Sequence, residues 1–352
     1  KYYKLIGKFG NEESVFDAEW KINENSVMYN NPKLYNETGF KKLEDLKSFI
    51  DSISYGGKLY SVFSHGNFIF RGHSSDKFEL VPSALRTNSS NLINQLALSG
   101  SNTVTEFDQI IKEYMILRKF YQICDSTGLP LPNVQRIRAT YTDFLDIKTL
   151  VMERKWLPED LWELAALAQH YGIPTRLLDW THDLHTALYF AVESYMKNKY
   201  IPEETKSIVL WALNIKPYAN LDMLSCPLKI VHPIYYMNPN MKAQQGLFTL
   251  WEITKTFEKE DGDIIINNSE LERKPLDKLL QEYKFSDKIG TLLYQIVIPV
   301  DYVKDLCHYL NFLGYNASKI YPGFYGVVKT LQERAYIYED SLTDYNNVIA
   351  VR

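Results

Sequence analysis

Residues 70–73 form the first of two short polar segments whose residue types could do chemistry. Arg71 follows an apolar run and is followed directly by Gly72. A guanidinium at the end of a strand offers a planar fork of N–H donors that suits phosphate or carboxylate. The glycine leaves room for a ligand or another backbone to come close. This pair predicts an anion-binding group at the rim of a sheet. The alternative is a half-buried Arg71 paired with a nearby carboxylate.

Residues 169–181 form the second segment, in which a helix end and a proline turn lead through an extended piece to another helix. Polar groups in an apolar neighbourhood must be paired with one another or serve a ligand. The alternative makes Thr181 the N-cap of the next helix and pairs Arg176 with Asp179. The polar residues of the segment are Gln169, His170, Thr175, Arg176, Asp179 and Thr181.

His170 is predicted to lie in the last turn of its helix. The negative end of the helix dipole should favour the protonated ring, which makes it a candidate second cation or proton donor. The alternative is that the ring bonds a backbone carbonyl and only fixes the turn. A separate group, His182 with Asp183 and His185, could hold a metal, but it lacks a distant third ligand and the HExxH arrangement. No metal site is therefore predicted.

The composition and the missing motifs argue against several classes of protein. The chain has 39 Lys and Arg against 43 Asp and Glu, a net charge of −4 that gives no general polybasic character for nucleic acid. Its three cysteines lie far apart without a CxxC pair, which argues against disulfides and thiolate zinc and favours a reducing compartment. No apolar run is long enough to cross a membrane, and the expected location is cytoplasmic. The GxSxG, GxxxxGK[ST] and GxGxxG motifs are absent, which counts against serine hydrolase, P-loop and Rossmann chemistry.

Apolar periodicity places helices mainly in the first half of the chain and strands mainly in the second. This segregation predicts an α+β fold in which helices pack around a small twisted sheet, mixed or antiparallel. The charged stretch at about 255–288 is predicted to be an excursion with one short helix near 276–283. Predicted helices cover about 43–53, 106–125, 134–153, 158–172 and 301–313, with another after Thr181; predicted strands cover about 68–70, 208–213, 247–251 and 292–298.

Several motifs resemble those of the FRG domain family, which is named for a Phe-Arg-Gly motif. Phe70-Arg71-Gly72 matches that motif, and the long segment from Gln169 to Thr181 is the more specific match. The resemblance spans about residues 43–330. Shorter matching segments cover residues 80–86, 187–191, 244–249 and 321–322.

The resemblance favours one elaborated domain over two independent ones. It predicts an N-terminal extension over residues 1–40, an FRG-type domain over 41–335 and a C-terminal segment over 336–352. The family is bacterial and phage-borne, so the resemblance also implies a component of bacterial defence or a toxin.

Phe70-Arg71-Gly72 also resembles the opening piece of ADP-ribosyltransferases, in which an Arg on the first core strand grips the diphosphate of NAD. That resemblance implies an ADP-ribosyltransferase-like fold and NAD as the cofactor. Thr175 or Thr181 would stand for the mid-chain motif that supports the pocket. A late Glu would stabilise the oxocarbenium-like transition state. The candidates for it are Glu252, Glu258, Glu260, Glu270, Glu272 and Glu333.

The rival prediction is a binding module that uses the same arginines without a catalytic carboxylate. Aromatic residues would stack a base or sugar of a nucleotide or nucleic acid while guanidiniums hold phosphate; otherwise these aromatics fill the core. Both predictions place a phosphate-bearing ligand in a pocket lined by Arg, His and Thr, away from any membrane. The predicted catalytic residues are His170, Thr175 and Asp179. The predicted ligand-binding residues are Arg71, Gly72, Arg86, Gln169, Arg176, Thr181 and Gln245.

Overall fold

The computed structural model describes most of the chain between residues 43 and 335. The described segments are residues 43–65, 68–97, 105–142, 155–197, 201–219, 226–236, 238–254, 257–260, 263–266, 270–283 and 292–335. The predicted N-terminal extension and C-terminal segment lie outside them. The strands are β1 Phe68–His73, β2 Lys155–Trp156, β3 Leu177–Thr181, β4 Ser207–Asn214, β5 Leu228–Val231, β6 Gly246–Trp251, β7 Ile253–Thr254, β8 Phe257–Glu260, β9 Asp263–Ile266 and β10 Leu293–Pro299.

The described helices include none that is both long enough and apolar enough to span a bilayer. They are α1 Leu43–Ile53, α2 Lys58–His65, α3 Ser90–Leu96, α4 Glu106–Ser126, α5 Gln135–Ala139, α6 Trp162–His170, α7 Leu184–Met196, α8 Pro239–Ala243, α9 Leu276–Glu282, α10 Val303–Phe312, α11 Ala317–Ile320 and the helical residues 324–335, labelled α12.

Six strands form one sheet in the order β10-β4-β1-β3-β6-β5, and every neighbouring pair is antiparallel. Helices pack against it, so the fold is α+β, as the segregation of helical and strand patterns predicts. Two small antiparallel pairs lie outside this sheet: β2 with β7, which are far apart in sequence, and the hairpin of β8 with β9. This hairpin and α9 occupy the charged excursion, where the sequence predicts only the helix.

The join between β1 and β3 is the narrowest in the sheet, because it has one paired position, Phe70 with Thr181. Two separate clusters of core side chains flank this join. One packs α7 and α10 over β1, β4 and β10, and the other packs α4 and α6 over β3, β5 and β6. On the opposite face of the sheet a third cluster spans the join, because it packs Ile69 of β1 together with Leu178 and Trp180 of β3.

The predicted helix over residues 134–153 is too long, because α5 ends at Ala139. The cause is tertiary: Arg118 of α4 donates hydrogen bonds to the carbonyl oxygens of Thr140 and Tyr141 at 2.7 and 3.2 Å. Those carbonyls bind a side chain at the point where the predicted helix would continue. The remainder of the predicted helix, from residue 143, lies outside the described residues.

Candidate functional site

A cleft of about 370 Å³ opens where β1 and β3 diverge. This volume falls within the range of small-molecule sites. Strands β1, β3 and β6, the end of α6 and one side of α7 form its walls. The polar lining residues are Arg71, Gln169, His170, Asp179, Thr181 and Gln244.

Arg71 is held in the cleft wall by contacts on both sides of its guanidinium. Nη1 donates to the carbonyl oxygen of Asp179 at 2.7 Å and to Oδ2 of the same residue at 3.3 Å. Nε donates to Nε2 of His73 at 3.0 Å. These bonds fix the plane of the guanidinium and leave Nη2 without a hydrogen bond to a described residue. Arg71 is therefore oriented and still has donors for an anion.

His73 orients Arg71, although it is absent from the site residues predicted from sequence. Because its Nε2 accepts from Arg71, its Nδ1 carries the proton and donates to the carbonyl oxygen of Phe78 at 3.2 Å. Burial, and then the charge of Arg71, lower the pKa of His73 well below its ordinary value. The ring is therefore neutral and remains an acceptor at neutral pH. The sequence could have indicated this contact, because residues i and i+2 of a strand lie on the same face and His73 is two residues after Arg71.

A chain of side-chain hydrogen bonds connects Arg71 to Thr175. Gln169 Nε2 donates to Asp179 Oδ1 at 2.6 Å, and Gln169 Oε1 accepts from the hydroxyl of Thr175. Thr175 Oγ1 in turn accepts from the backbone N–H of Leu177 at 3.1 Å. Each donor meets an acceptor, so the chain fixes the amide of Gln169 and the carboxylate of Asp179. The predicted convergence of β1, the end of α6 and the following turn is present.

Thr175 lies beneath the cleft surface and supports this chain of hydrogen bonds. It is buried, and its backbone N–H donates to Ser83 Oγ at 3.1 Å. Its carbonyl oxygen accepts from the backbone N–H of Ala84 at 3.0 Å. These bonds attach residues 80–86 to the turn after α6. Thr175 does not line the cleft, so the structure gives its hydroxyl a positioning role for Gln169.

Arg86 is exposed and does not line the cleft, but its positive charge lies beside it. Its Nε donates to the carbonyl oxygen of Val81 at 3.0 Å. The pKa of Arg86 is lowered, first by desolvation and then by the charge of Arg71, whereas Asp179 raises it. Two guanidiniums therefore lie within electrostatic reach of one carboxylate. The local charge is positive, although the whole chain is slightly acidic.

His170 lines the cleft at the end of α6, but its predicted protonation is wrong. Burial lowers its pKa below the ordinary value, and the charge of Asp179 only partly opposes that shift. Desolvation of the charged ring outweighs the contribution expected from the helix dipole. The ring contacts Tyr171 edge-on at a centroid distance of 5.2 Å. It faces the cleft as a neutral imidazole rather than as a second cation.

Gly72 is required by the packing of a helix. A Cβ atom on Gly72 would lie 2.0 Å from the carbonyl oxygen of Ala187 and 2.9 Å from the backbone nitrogen of Ala191. The backbone of α7 therefore lies directly on β1 at this point. Of the two partners that the sequence suggests for this glycine, a ligand or another backbone, the structure shows the backbone, and Gly72 also lines the cleft beside Arg71.

Arg176 lies outside the cleft, in a buried ion-pair network. Its Nε donates to both carboxylate oxygens of Glu113, at 2.9 and 2.8 Å, and its Nη2 pairs with Glu106. Trp156 Nε1 also donates to Glu113, at 2.7 Å. These partners replace both the ligand and the Asp179 pairing considered from sequence. Positions i and i+7 share a helix face, so the spacing of the two glutamates could have indicated that one cation binds both.

Thr181 lines the cleft, but it is not the N-cap of α7. Its hydroxyl donates to the carbonyl oxygen of Gln244 at 2.7 Å and accepts from the backbone N–H of Asp183 at 3.0 Å. Asp183 is the cap, since its Oδ1 accepts from the backbone N–H of His185 at 3.0 Å. Gln245 is exposed and has a φ of 47°, and its neighbour Gln244 lines the cleft in its place.

The late glutamates whose side chains the structure describes do not line the cleft. Glu333 accepts from the hydroxyl of Tyr189 at 2.5 Å and from the backbone N–H of Ala317 at 3.0 Å. Glu252 pairs with Lys155 at 2.8 Å. Among the described lining residues, Asp179 supplies the carboxylate. The described segments also contain no group of three His, Cys, Asp or Glu residues placed to hold a metal ion.

The model of the FRG domain family matches residues 66–200. This range contains β1, α6, β3 and α7, together with every residue of the hydrogen-bonded chain from Arg71 to Thr175. Residues 66–200 are therefore similar to the FRG domain, as the motifs in the sequence suggest. The match ends before β4, β5, β6 and β10, which complete the sheet. No curated protein and no solved structure matches the chain.

Proposed function

We propose that the cleft binds a small phosphate-bearing ligand of the nucleotide class. The observation that carries this proposal is the guanidinium of Arg71 in the cleft wall, which His73 and Asp179 hold in place while its Nη2 bonds no described residue. Guanidinium groups bind phosphate oxygens through planar, charge-assisted hydrogen bonds. Arg71 is already oriented by His73, so little side-chain freedom is lost when it binds.

The remainder of the lining suits the base or sugar of such a ligand. Phe190 and Tyr321 are partly exposed on the cleft wall, and Phe70 and Phe248 supply buried apolar surface. An aromatic face stacks on any base, and an adjacent guanidinium holds the phosphate. His170 and Gln244 add neutral hydrogen-bonding groups that would fix the orientation of the ligand.

Binding without catalysis is supported best, because the cleft lacks an unoccupied carboxylate among its described residues. Oδ1 of Asp179 accepts from Gln169 and Oδ2 accepts from Arg71. ADP-ribosyl transfer from NAD, on an ADP-ribosyltransferase-like fold, is the second candidate. It is favoured by the exposure of the Asp179 side chain, 61% of which is open to solvent beside Arg71. A carboxylate in that position could stabilise an oxocarbenium-like transition state.

Calorimetric titration with NAD, ADP-ribose, AMP and inorganic phosphate tests the proposal. Arg71→Lys should weaken binding about tenfold, because Lys keeps the charge but loses the fork. Arg136→Lys is the matched control, since Arg136 pairs with Asp160 through two nitrogens outside the cleft. Equal affinity in wild type and Arg71→Lys would place the anion site elsewhere. A short single-stranded oligonucleotide in the same titration tests the nucleic-acid form of the binding module.

Nicotinamide release separates the enzyme from the binding module. Wild type and Asp179→Asn are incubated with NAD, and free nicotinamide is measured by chromatography. Release by wild type that is lost in Asp179→Asn would support transfer or hydrolysis. Binding of NAD without release would leave the module as a binder.

The family resemblance supports a role in bacterial defence or as a toxin. Expression of wild type and of Arg71→Ala in a bacterial host tests that role. Growth arrest with wild type alone would support it, and equal growth of both strains at equal protein levels would count against it.

A further inference from the structure

Helix α12 turns its polar side toward the rest of the protein. Lys329 is buried, and its Nζ pairs with Oε1 of Glu193 on α7 at 2.8 Å. Thr330 is also buried, and its Oγ1 accepts from the backbone N–H of Ser318 at 2.8 Å. One turn further on, Glu333 binds Tyr189 and Ala317. These bonds fix the rotation of α12 about its own axis.

The opposite side of α12 is apolar and faces solvent. It carries four residues, of which the last three lie three, four and seven positions after the first. This spacing places them on one face of the helix over two turns. All are between 50% and 92% exposed. We call this set the α12 stripe; it consists of Phe324, Val327, Val328 and Leu331.

This arrangement is the reverse of the usual amphipathic helix, whose apolar side faces the core. Rotation of α12 cannot hide the stripe, because Lys329 and Glu333 would then lose their partners. Exposed apolar patches of this kind mark interaction sites on soluble domains. The stripe therefore needs an apolar partner surface.

We propose that the α12 stripe is a self-association surface, covered by the same stripe of a second copy of this chain. A straight row of side chains at this spacing packs against an identical row when two copies meet about a two-fold axis. The stripe itself carries no charge, since Lys329 and Glu333 point the other way. In an antiparallel pairing the exposed Arg334 of each copy lies at opposite ends, so the two positive charges stay apart.

The area of the patch fits this occupant. Phe324 and the three aliphatic residues of the α12 stripe are each at least half exposed. Together they present on the order of 500 Å² per copy, so a dimer would bury on the order of 1,000 Å² in total. That area suits a reversible dimer of modest affinity rather than an obligate one.

Sedimentation and light scattering of the full chain over a dilution series, up to about 100 µM, test the proposal. We expect a monomer–dimer equilibrium that Leu331→Glu weakens by roughly tenfold or more. Leu129→Glu is the matched control, because Leu129 is a leucine of similar exposure in a loop remote in sequence from α12. Far-UV circular dichroism and thermal unfolding should be unchanged in both variants at concentrations where wild type is monomeric, since each replaced side chain already faces solvent.

Two results would overturn the proposal. The first is a wild type that stays monomeric at the highest concentration. The second is a dimer that persists in Leu331→Glu or is lost equally in Leu129→Glu. As a direct check, Val328→Cys should form an intermolecular disulfide under mild oxidation, whereas Leu129→Cys should not.

Discussion

Arg71 and Asp179 are 108 residues apart in sequence, yet one guanidinium nitrogen of Arg71 binds both the carbonyl oxygen and the carboxylate of Asp179. The contact bridges the two strands that part to form the cleft. It orients Arg71 and also occupies a donor that a ligand phosphate would use. Asp179 is thus both a support and a competitor for the proposed anion site.

Replacing Asp179 with Asn should raise the affinity of the cleft for inorganic phosphate by about threefold to tenfold. The carbonyl oxygen of Asp179 still holds Arg71 after the change, while the competing negative charge is gone. Calorimetric titration measures the effect, with Asp160→Asn as a control that removes an arginine-paired carboxylate away from the cleft. A loss of phosphate affinity in Asp179→Asn would show that the carboxylate is needed to orient Arg71.

Replacing Gly72 with Ala should lower the free energy of unfolding by about 2–3 kcal/mol, because the new Cβ collides with the backbone of α7. A backbone carbonyl cannot move aside as the end of a flexible side chain can. Gly128→Ala provides the comparison: Gly128 has a φ of 73° and open space around it, so only conformational strain of about 1 kcal/mol is expected. Urea unfolding followed by circular dichroism gives both values. Equal losses would mean that α7 shifts away from β1 at little cost.

Replacing Arg176 with Met should lower the free energy of unfolding by about 3–5 kcal/mol, since two buried carboxylates would lose their cation. Arg138→Met is the exposed counterpart, because Arg138 pairs with Asp125 at the surface, and it should cost less than about 1 kcal/mol. Phosphate affinity should survive in Arg176→Met wherever the protein remains folded. Loss of phosphate binding at unchanged stability would instead show that Arg176 contributes to ligand binding.

The stability of the protein should fall as the pH drops below about 6.5, and His73 should contribute to this fall. Its pKa in the folded protein lies well below the ordinary value of 6.5. The unfolded chain therefore binds more protons over the interval between the two pKa values, and stability rises with pH through it. In His73→Gln the slope of unfolding free energy against pH between about 5 and 7 should be flatter. His170→Gln should change the slope less, because the pKa of His170 is shifted less strongly. An unchanged slope in His73→Gln would show that this ring does not titrate as described.

Local signals predicted many of the elements. Gly172 and Gly314, with φ values of 93° and 80°, end α6 and α10 as a C-terminal glycine does in the left-handed conformation. The strand containing Phe70 was marked by its apolar run, and Arg71 stood out because it follows that run directly. The hydrogen bonds that decide the helix length after α5 come from Arg118 of α4, and no local pattern contains them.

The site was predicted less completely than the helices and strands, because the sequence does not show which charged side chains pair in the folded chain. Arg176 and Asp179 are three residues apart, and a local interpretation pairs them. In the folded chain Arg176 binds Glu113 on α4, and Asp179 binds Arg71 on β1. Arg176 lies at the bend before β3 and Asp179 lies within the strand, so each side chain meets a different element. A charge three residues away in the sequence is therefore a poor guide to the partner.

The sequence by itself determined the α+β class, the two polar segments and the family resemblance, because residue type, short-range periodicity and a specific motif are local properties of the chain. The tertiary structure alone decided which polar groups meet. Strands β1 and β3 join at one position and then part, so the cleft is a product of long-range packing. Burial within that packing also lowers the pKa of His170, and the contacts of Lys329 and Glu333 turn the apolar side of α12 outward. Desolvation and partner geometry depend on every element that packs around a group, and they exist only after the chain has folded.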